Sequence, residues 1–294
     1  MSLTTALPTF IVTLREGFEA ALVVGIVLAC LKKAQQERLN SQVYQGIGAG
    51  ILASVVLGVV LASVFGGATA SPLVKQLLEA LFGLVAIIML SWMLIWMTRQ
   101  SKLLKSEIET AIKTALDENS LAGRGIFWVV FIAVLREGIE TVVFIMAQFE
   151  QSWQNATLGA MAGLSLASVL GFLLFSGGVK INIRLFFQLM GIFVLLIVGG
   201  LVVGLLQHLD QAAALLSWCP GSASCWLGPQ IWDGAKILPD KEFPGLVLKA
   251  LFGYRQTLYL GQVVVYGLFL VVMGTLYFQS LRPDTFSEKA KYAN

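Results

Sequence analysis

The stretch PTFIVTLREGFEAALVVGIVLACL, Pro8–Leu31, is apolar throughout except for Arg15, Glu16 and Glu19 near its middle. It returns as GIFWVVFIAVLREGIETVVFIMAQ, Gly125–Gln148, where Arg136, Glu137 and Glu140 repeat the same spacing. Each stretch is 24 residues, and roughly 20 residues at 1.5 Å rise are enough to cross about 30 Å of hydrocarbon. Continuous runs of this kind are helices and not the alternating strands of a closed barrel.

The rest of the chain is of the same character. Of its 294 residues 57% are hydrophobic and 13% charged, and the mean hydropathy is +0.81. An ordinary soluble domain is about 25% charged, so this chain has no polar face to offer water. Disorder, a nucleic-acid-binding domain, a disulfide-built secreted module and nearly every soluble enzyme are excluded. A net charge of +3 points to no polyanionic partner. With acidic groups inside its first apolar run and no basic leader, the chain reads as beginning at a retained span.

Five further runs qualify as spans: Tyr44–Phe65, Leu73–Thr98, Thr157–Gly178, Leu185–His208 and Leu258–Gln279. The expected fold is therefore all-α, a polytopic membrane protein of seven transmembrane helices. With the N-terminus outside, thirteen Lys and Arg fall in inner segments and five in outer ones. The excess predicts N-out, C-in.

The second spans also match. Gly46, Gly50 and Gly58 align with Gly159, Gly163 and Gly171 at one constant offset. Residues 1–98 and 125–208 then read as two copies of a three-helix unit, joined by a cytoplasmic loop, 99–124. An outer loop, 209–257, leads to a seventh helix and cytoplasmic tail, 258–294. Ser106–Leu116 in the first loop is expected to form a short surface helix. An odd number of spans per copy forces the second copy to enter from the opposite side, which predicts the inverted repeat of many transporters.

Charged groups at the bilayer centre cost about 2.5–3.5 kcal/mol each on insertion scales, so they mark function. Glu16 and Glu19, like Glu137 and Glu140, are spaced i,i+3 and share a helix face. Arg15 and Arg136 each reach the second glutamate of their own copy at i,i+4. Counted along the helices from opposite sides at 1.5 Å per residue, Glu19 lies about 16 Å deep and Glu137 about 18 Å, so the two motifs meet near the midplane. Four carboxylates against two guanidiniums leave a net charge of −2, which calls for protons or a cation in the site. Oxygen donors select hard cations over soft ones. The reading that competes is that these groups only join helices as ion pairs.

Two Arg-Glu-Gly-x-Glu motifs, in the first and fourth of seven spans, resemble the oxidase-dependent ferric iron permease family. The likeness extends to Glu107–Glu109, to Trp92 and Trp96, and to Trp232-Asp233 with Phe252-Gly253-Tyr254. The resemblance implies an iron permease, not an enzyme, with Glu16, Glu19, Glu137 and Glu140 as ligands. Iron would be the transported substrate, ferric after oxidation of ferrous iron by a partner, and no tightly bound cofactor is expected. Arg15 and Arg136 balance charge on our own reading. Implied partners are a periplasmic or extracellular iron oxidase, cupredoxin-like and haem-peroxidase-like proteins, in addition to membrane lipid. The compact chain favours a bacterial inner membrane. Lead or manganese transport, or a scaffold or redox subunit, are the alternatives.

Glu79, Glu150, His208 and Asp210 fall near the outer ends of spans and form a possible outer relay or cation-attracting vestibule, or else ordinary interface polarity. Cys219 and Cys225, joined by small residues outside, are expected to close as a disulfide. Cys30 is expected to be inert.

Overall fold

The computed structural model describes residues 3–65, 71–100, 122–147, 153–175, 182–216, 224–234, 238 and 244–281. Seven long helices occupy the seven expected places: α1 Leu3–Lys33, α2 Asn40–Phe65, α3 Pro72–Gln100, α4 Ala122–Ala147, α5 Trp153–Phe175, α6 Ile183–Leu215 and, last in the chain, α8 Leu260–Ser280. Five of them, α2, α3, α5, α6 and α8, are long and apolar enough to cross a membrane. Helices α1 and α4 have the length but carry three charges each in mid-helix.

Their ends have local causes. Lys32 and Lys33 close α1, where cations favour the C-terminal carbonyls. Gln35 then takes a left-handed φ of 56°, and Gln36 N–H returns to Leu31 O at 2.9 Å. Asn182 caps α6 by accepting Leu185 N–H at 3.1 Å. Helix α6 runs past His208 to Leu215 because the Gln-Ala-Ala-Ala-Leu stretch after Asp210 is helix-forming in or out of lipid. The final helix begins at Leu260, two residues later than expected, because Thr257–Tyr259 (β2) pairs antiparallel with Gln230–Asp233 (β1). A short helix, α7 (Gly245–Phe252), precedes that strand and packs on α1 and α6. The expected Ser106–Leu116 helix lies outside the described residues.

Packing follows the repeat residue by residue. Helix α2 lies on α4, and helix α5 lies on α1. A methyl on Gly46 would meet Phe127 O, and one on Gly50 would meet Phe131 O and Val134. In the other copy, Gly159 faces Ala6 O and Gly163 faces Phe10 O. Gly58 faces Val142 as Gly171 faces Ala21, and Gly138 faces Ser54 as Gly17 faces Ala167. Every one of these pairs is the image of the other under the alignment of the two motifs. The end of α1 (Val27, Leu31) shares a core with the beginnings of α2 (Val43) and α4 (Ile126, Val130). Helices α1 and α4 therefore run in opposite directions.

Outward-facing side chains are large and apolar, including Leu52, Val59, Ile88, Met161, Phe172, Leu268 and Val271. Such a coat is stable against lipid and not against water. The main core joins Ile11 and Val12 of α1, Leu90 and Leu94 of α3, Val194 and Val198 of α6 and Tyr277 of α8.

Candidate metal centre

The two charged motifs sit where α1 and α4 cross. Arg15 Nε lies 3.2 Å from Glu19 Oε1, and Arg15 Nη1 lies 3.5 Å from Glu16 Oε1. In the second copy, Arg136 Nε lies 3.2 Å from Glu140 Oε1 and 4.0 Å from Glu137 Oε1. Both i,i+4 pairs expected from the spacing are present. They form because side chains four apart stack on one helix face.

Helix crossing brings Glu16, Glu19 and Glu137 together: each offers a carboxylate oxygen, and the three oxygens lie within 4.8 Å of one another. Two oxygens on one hard cation can be separated by at most twice the metal–oxygen distance, about 4–5 Å. The triad therefore fits a single ion. Glu16 is buried, with its side chain 1% exposed. The oxygens Glu16 Oε2, Glu137 Oε2 and Glu140 Oε2 are buried and receive no hydrogen bond among the described residues. Buried carboxylate oxygens without donors are costly unless a proton or cation joins them. Glu140, the fourth residue of the expected set, stands outside the triad, held by Arg136.

Glycine makes the crossing possible. A Cβ on Gly138 would strike Ser54 Oγ, and one on Gly17 would stand 2.9 Å from Ala167 Cβ. Ser54 is itself satisfied, donating to Gly50 O at 2.8 Å. Thr13 of α1 donates in the same way to Thr9 O.

The outer candidates divide. Glu79 and His208 meet between α3 and α6, with His208 Nδ1 3.2 Å from Glu79 Oε2. Gln76 Oε1 lies 2.7 Å from the same nitrogen, and Lys75 Nζ 3.7 Å from Glu79 Oε1. Asp210 serves the outer loop: its Oδ1 accepts Cys225 N–H at 2.8 Å and Trp226 N–H at 3.2 Å. Glu150 and Cys219 lie outside the described residues. Cys225 is disulfide-bonded, and Cys30 is not part of a disulfide.

Two contacts were beyond the sequence reading. Arg136 Cζ lies 4.7 Å from the centre of the Trp96 ring, a pairing between helices that no local spacing signals. Gln76 joins His208 in the same way, across the α3–α6 seam.

A buried acidic centre on crossing helices inside an apolar coat defines a multi-pass membrane protein. Residues 6–278 match the iron permease FTR1 family, and the chain belongs to it. An uncharacterized protein of Synechocystis sp. is 50% identical over 296 residues, covering 96% of each chain. The ferrous iron permease EfeU of Escherichia coli O157:H7 is 31% identical over 267 residues, 89% of this chain and 91% of its own. The protein of the same name from Yersinia pestis is 29% identical over 272 residues, 92% of each. These relatives are bacterial. No solved structure matches the chain.

Proposed function

We propose that this protein is an inner-membrane permease that carries iron inward through the acidic centre between α1 and α4. The observation that carries this reading is the convergence of Glu16, Glu19 and Glu137 from two antiparallel helices, with ligand oxygens within 4.8 Å of one another. Membership of the iron permease family and the EfeU relatives' name, ferrous iron permease, support iron as the cargo.

All seven long helices cross the membrane in this reading, as two inverted three-helix units and a seventh helix, N-out and C-in. The centre then lies near the midplane at the interface of the units, where transporter sites of this design sit. Iron enters the centre in the ferric state, since an all-carboxylate donor set favours the harder ion. A partner oxidase on the outer face, cupredoxin-like or haem-peroxidase-like, supplies it by oxidising ferrous iron. The chain acts as a transporter and not as an enzyme, and iron is its substrate.

The test is radioiron uptake by the purified protein in liposomes, with and without a proton gradient and with ferrous or ferric iron outside. Uptake that Glu16→Ala abolishes supports the reading. Lead or manganese entering faster than iron overturns the choice of cargo. No cation uptake by the intact protein, with or without its oxidase, overturns transport itself.

A further inference from the structure

The two copies of the motif sit in unlike surroundings. Ile11 of α1 is 6% exposed and part of the main core, whereas Ile132, its counterpart on α4, is 58% exposed. The arginines follow: the Arg15 side chain is 3% exposed and that of Arg136 46%. The short helix α7 packs on α1, whereas the α4 face beside α3 stays exposed among the described residues. There the Arg136 guanidinium rests on the Trp96 ring, 4.7 Å from its centre.

The glutamates differ in the same sense. Glu19 and Glu140 are repeat mates, and each sits 3.2 Å from its own arginine. Glu19 nonetheless belongs to the triad with Glu16 and Glu137, and Glu140 does not. The arginine that keeps its glutamate out is the one with an aromatic platform. Glu140 Oε1 accepts from Arg136 Nε at 3.2 Å, while Glu140 Oε2 is buried with no hydrogen-bond donor among the described residues, so Arg136 is what holds its carboxylate in place.

We propose that Trp96, acting through Arg136, holds Glu140 out of the cation site, and that Glu140 joins as a fourth carboxylate when the stack breaks. The site then alternates between three and four carboxylates. Four hold a highly charged ion; returning Glu140 to Arg136 on the Trp96 platform loosens it for release. Trp96 and Arg136 are positioning residues, and Glu140 is the ligand they control. A cation over an indole ring is worth enough, on the general scale of such contacts, to change affinity about tenfold.

This inference rests on iron as the cargo, and the experiment separates the two. Ferric nitrilotriacetate is titrated into the purified full-length protein in lipid nanodiscs, and uptake is measured in liposomes. Wild type, Trp96→Leu, Trp96→Phe, Glu140→Gln, Glu137→Gln and the Trp96→Leu/Glu140→Gln pair are compared. Trp96→Leu is expected to bind ferric iron about tenfold tighter and to transport it more slowly. Trp96→Phe, which keeps an aromatic face, restores uptake. The added Glu140→Gln removes the gain in affinity, and Glu140→Gln alone weakens binding less than Glu137→Gln while still stopping uptake. Should Trp96→Leu not fold, Trp96→Phe and the two glutamine variants carry the comparison. Unchanged affinity and uptake in both Trp96 variants overturn the proposal, as does equal loss of binding in Glu140→Gln and Glu137→Gln. Wild type that binds no iron overturns the proposed cargo, and this inference with it.

Discussion

Gly253 crosses Gly200 backbone to backbone in the middle of α6: a methyl added to Gly200 would stand 2.8 Å from Gly253 Cα. Gly253 also ends α7 with a left-handed φ of 65°, and Tyr254 N–H returns to Leu248 O at 3.3 Å. The outer segment is thereby seated against the bundle, and Tyr254 ties it further by donating to Leu238 O at 3.0 Å and accepting from Trp232 Nε1 at 3.2 Å.

Alanine at either glycine should unseat α7. At Gly253 the left-handed conformation alone costs an alanine about 1–2 kcal/mol, and the clash adds to it. Thermal unfolding in detergent should show both variants melting below wild type. Gly267→Ala on α8 is the control, because no atom lies within 4 Å of its added methyl. It should be neutral or slightly stabilising, and a drop equal to that of Gly200→Ala would mean the melting reports helix content and not the crossing.

The packing at the centre makes a second test. Gly138→Ala places a methyl against Ser54 Oγ, and overpacking of this kind typically costs about 1–3 kcal/mol. Ser54→Gly removes the obstructing side chain. The double variant should recover most of the stability lost by Gly138→Ala, giving a coupling that independent sites lack. Additive losses in the thermal melts would place the two residues out of contact.

Much of this arrangement could be read from residue order because it depends on local geometry. The i,i+4 spacing of Arg15 with Glu19 and of Arg136 with Glu140 fixes those pairs on any helix. The matched glycines of α2 and α5 announced close approach, and the apolar runs announced the helices. Three things were not legible, for a common reason. The stack of Arg136 on Trp96, the meeting of His208 with Glu79 and Gln76, and the separation of Glu140 from the triad are contacts between helices distant in sequence. They depend on how helices far apart in sequence come together, which no local spacing reveals. The outer loop hid β1, β2 and α7 because elements of three to eight residues carry little periodicity of their own.

Within the triad, Glu16→Ala, Glu19→Ala and Glu137→Ala should each abolish iron uptake while the protein still inserts. Deleting a buried carboxylate removes a ligand and at the same time lowers the insertion cost. Membrane fractionation should therefore show normal amounts of each variant, and titration with ferric nitrilotriacetate should show lost binding. Normal uptake by any one of them would remove that glutamate from the site.

Lysine in place of the arginines tests charge against shape. Lysine keeps the positive charge but loses the planar fork that grips a carboxylate through two N–H groups and stacks on a ring face. The two positions should then respond differently. Arg15 is buried and reaches both Glu16 and Glu19, at 3.5 and 3.2 Å. Arg15→Lys leaves one ammonium to do the work of two contacts inside the core. Since breaking a buried pair costs about 3–5 kcal/mol when one partner is removed outright, a weakened pair should cost some fraction of that, seen as a lower melting temperature. Arg136 is half-exposed, and its neighbours are Glu140 at 3.2 Å, Glu137 at 4.0 Å and the Trp96 ring at 4.7 Å. Arg136→Lys should leave the melt nearly unchanged and slow uptake, because the ammonium still balances charge but no longer spans carboxylate and indole together. Melting curves and initial uptake rates on the same preparations decide it. Equal stability losses at both positions would mean that the exposure difference between the two copies has no energetic consequence. Wild-type uptake in both variants would mean that arginine contributes its charge alone.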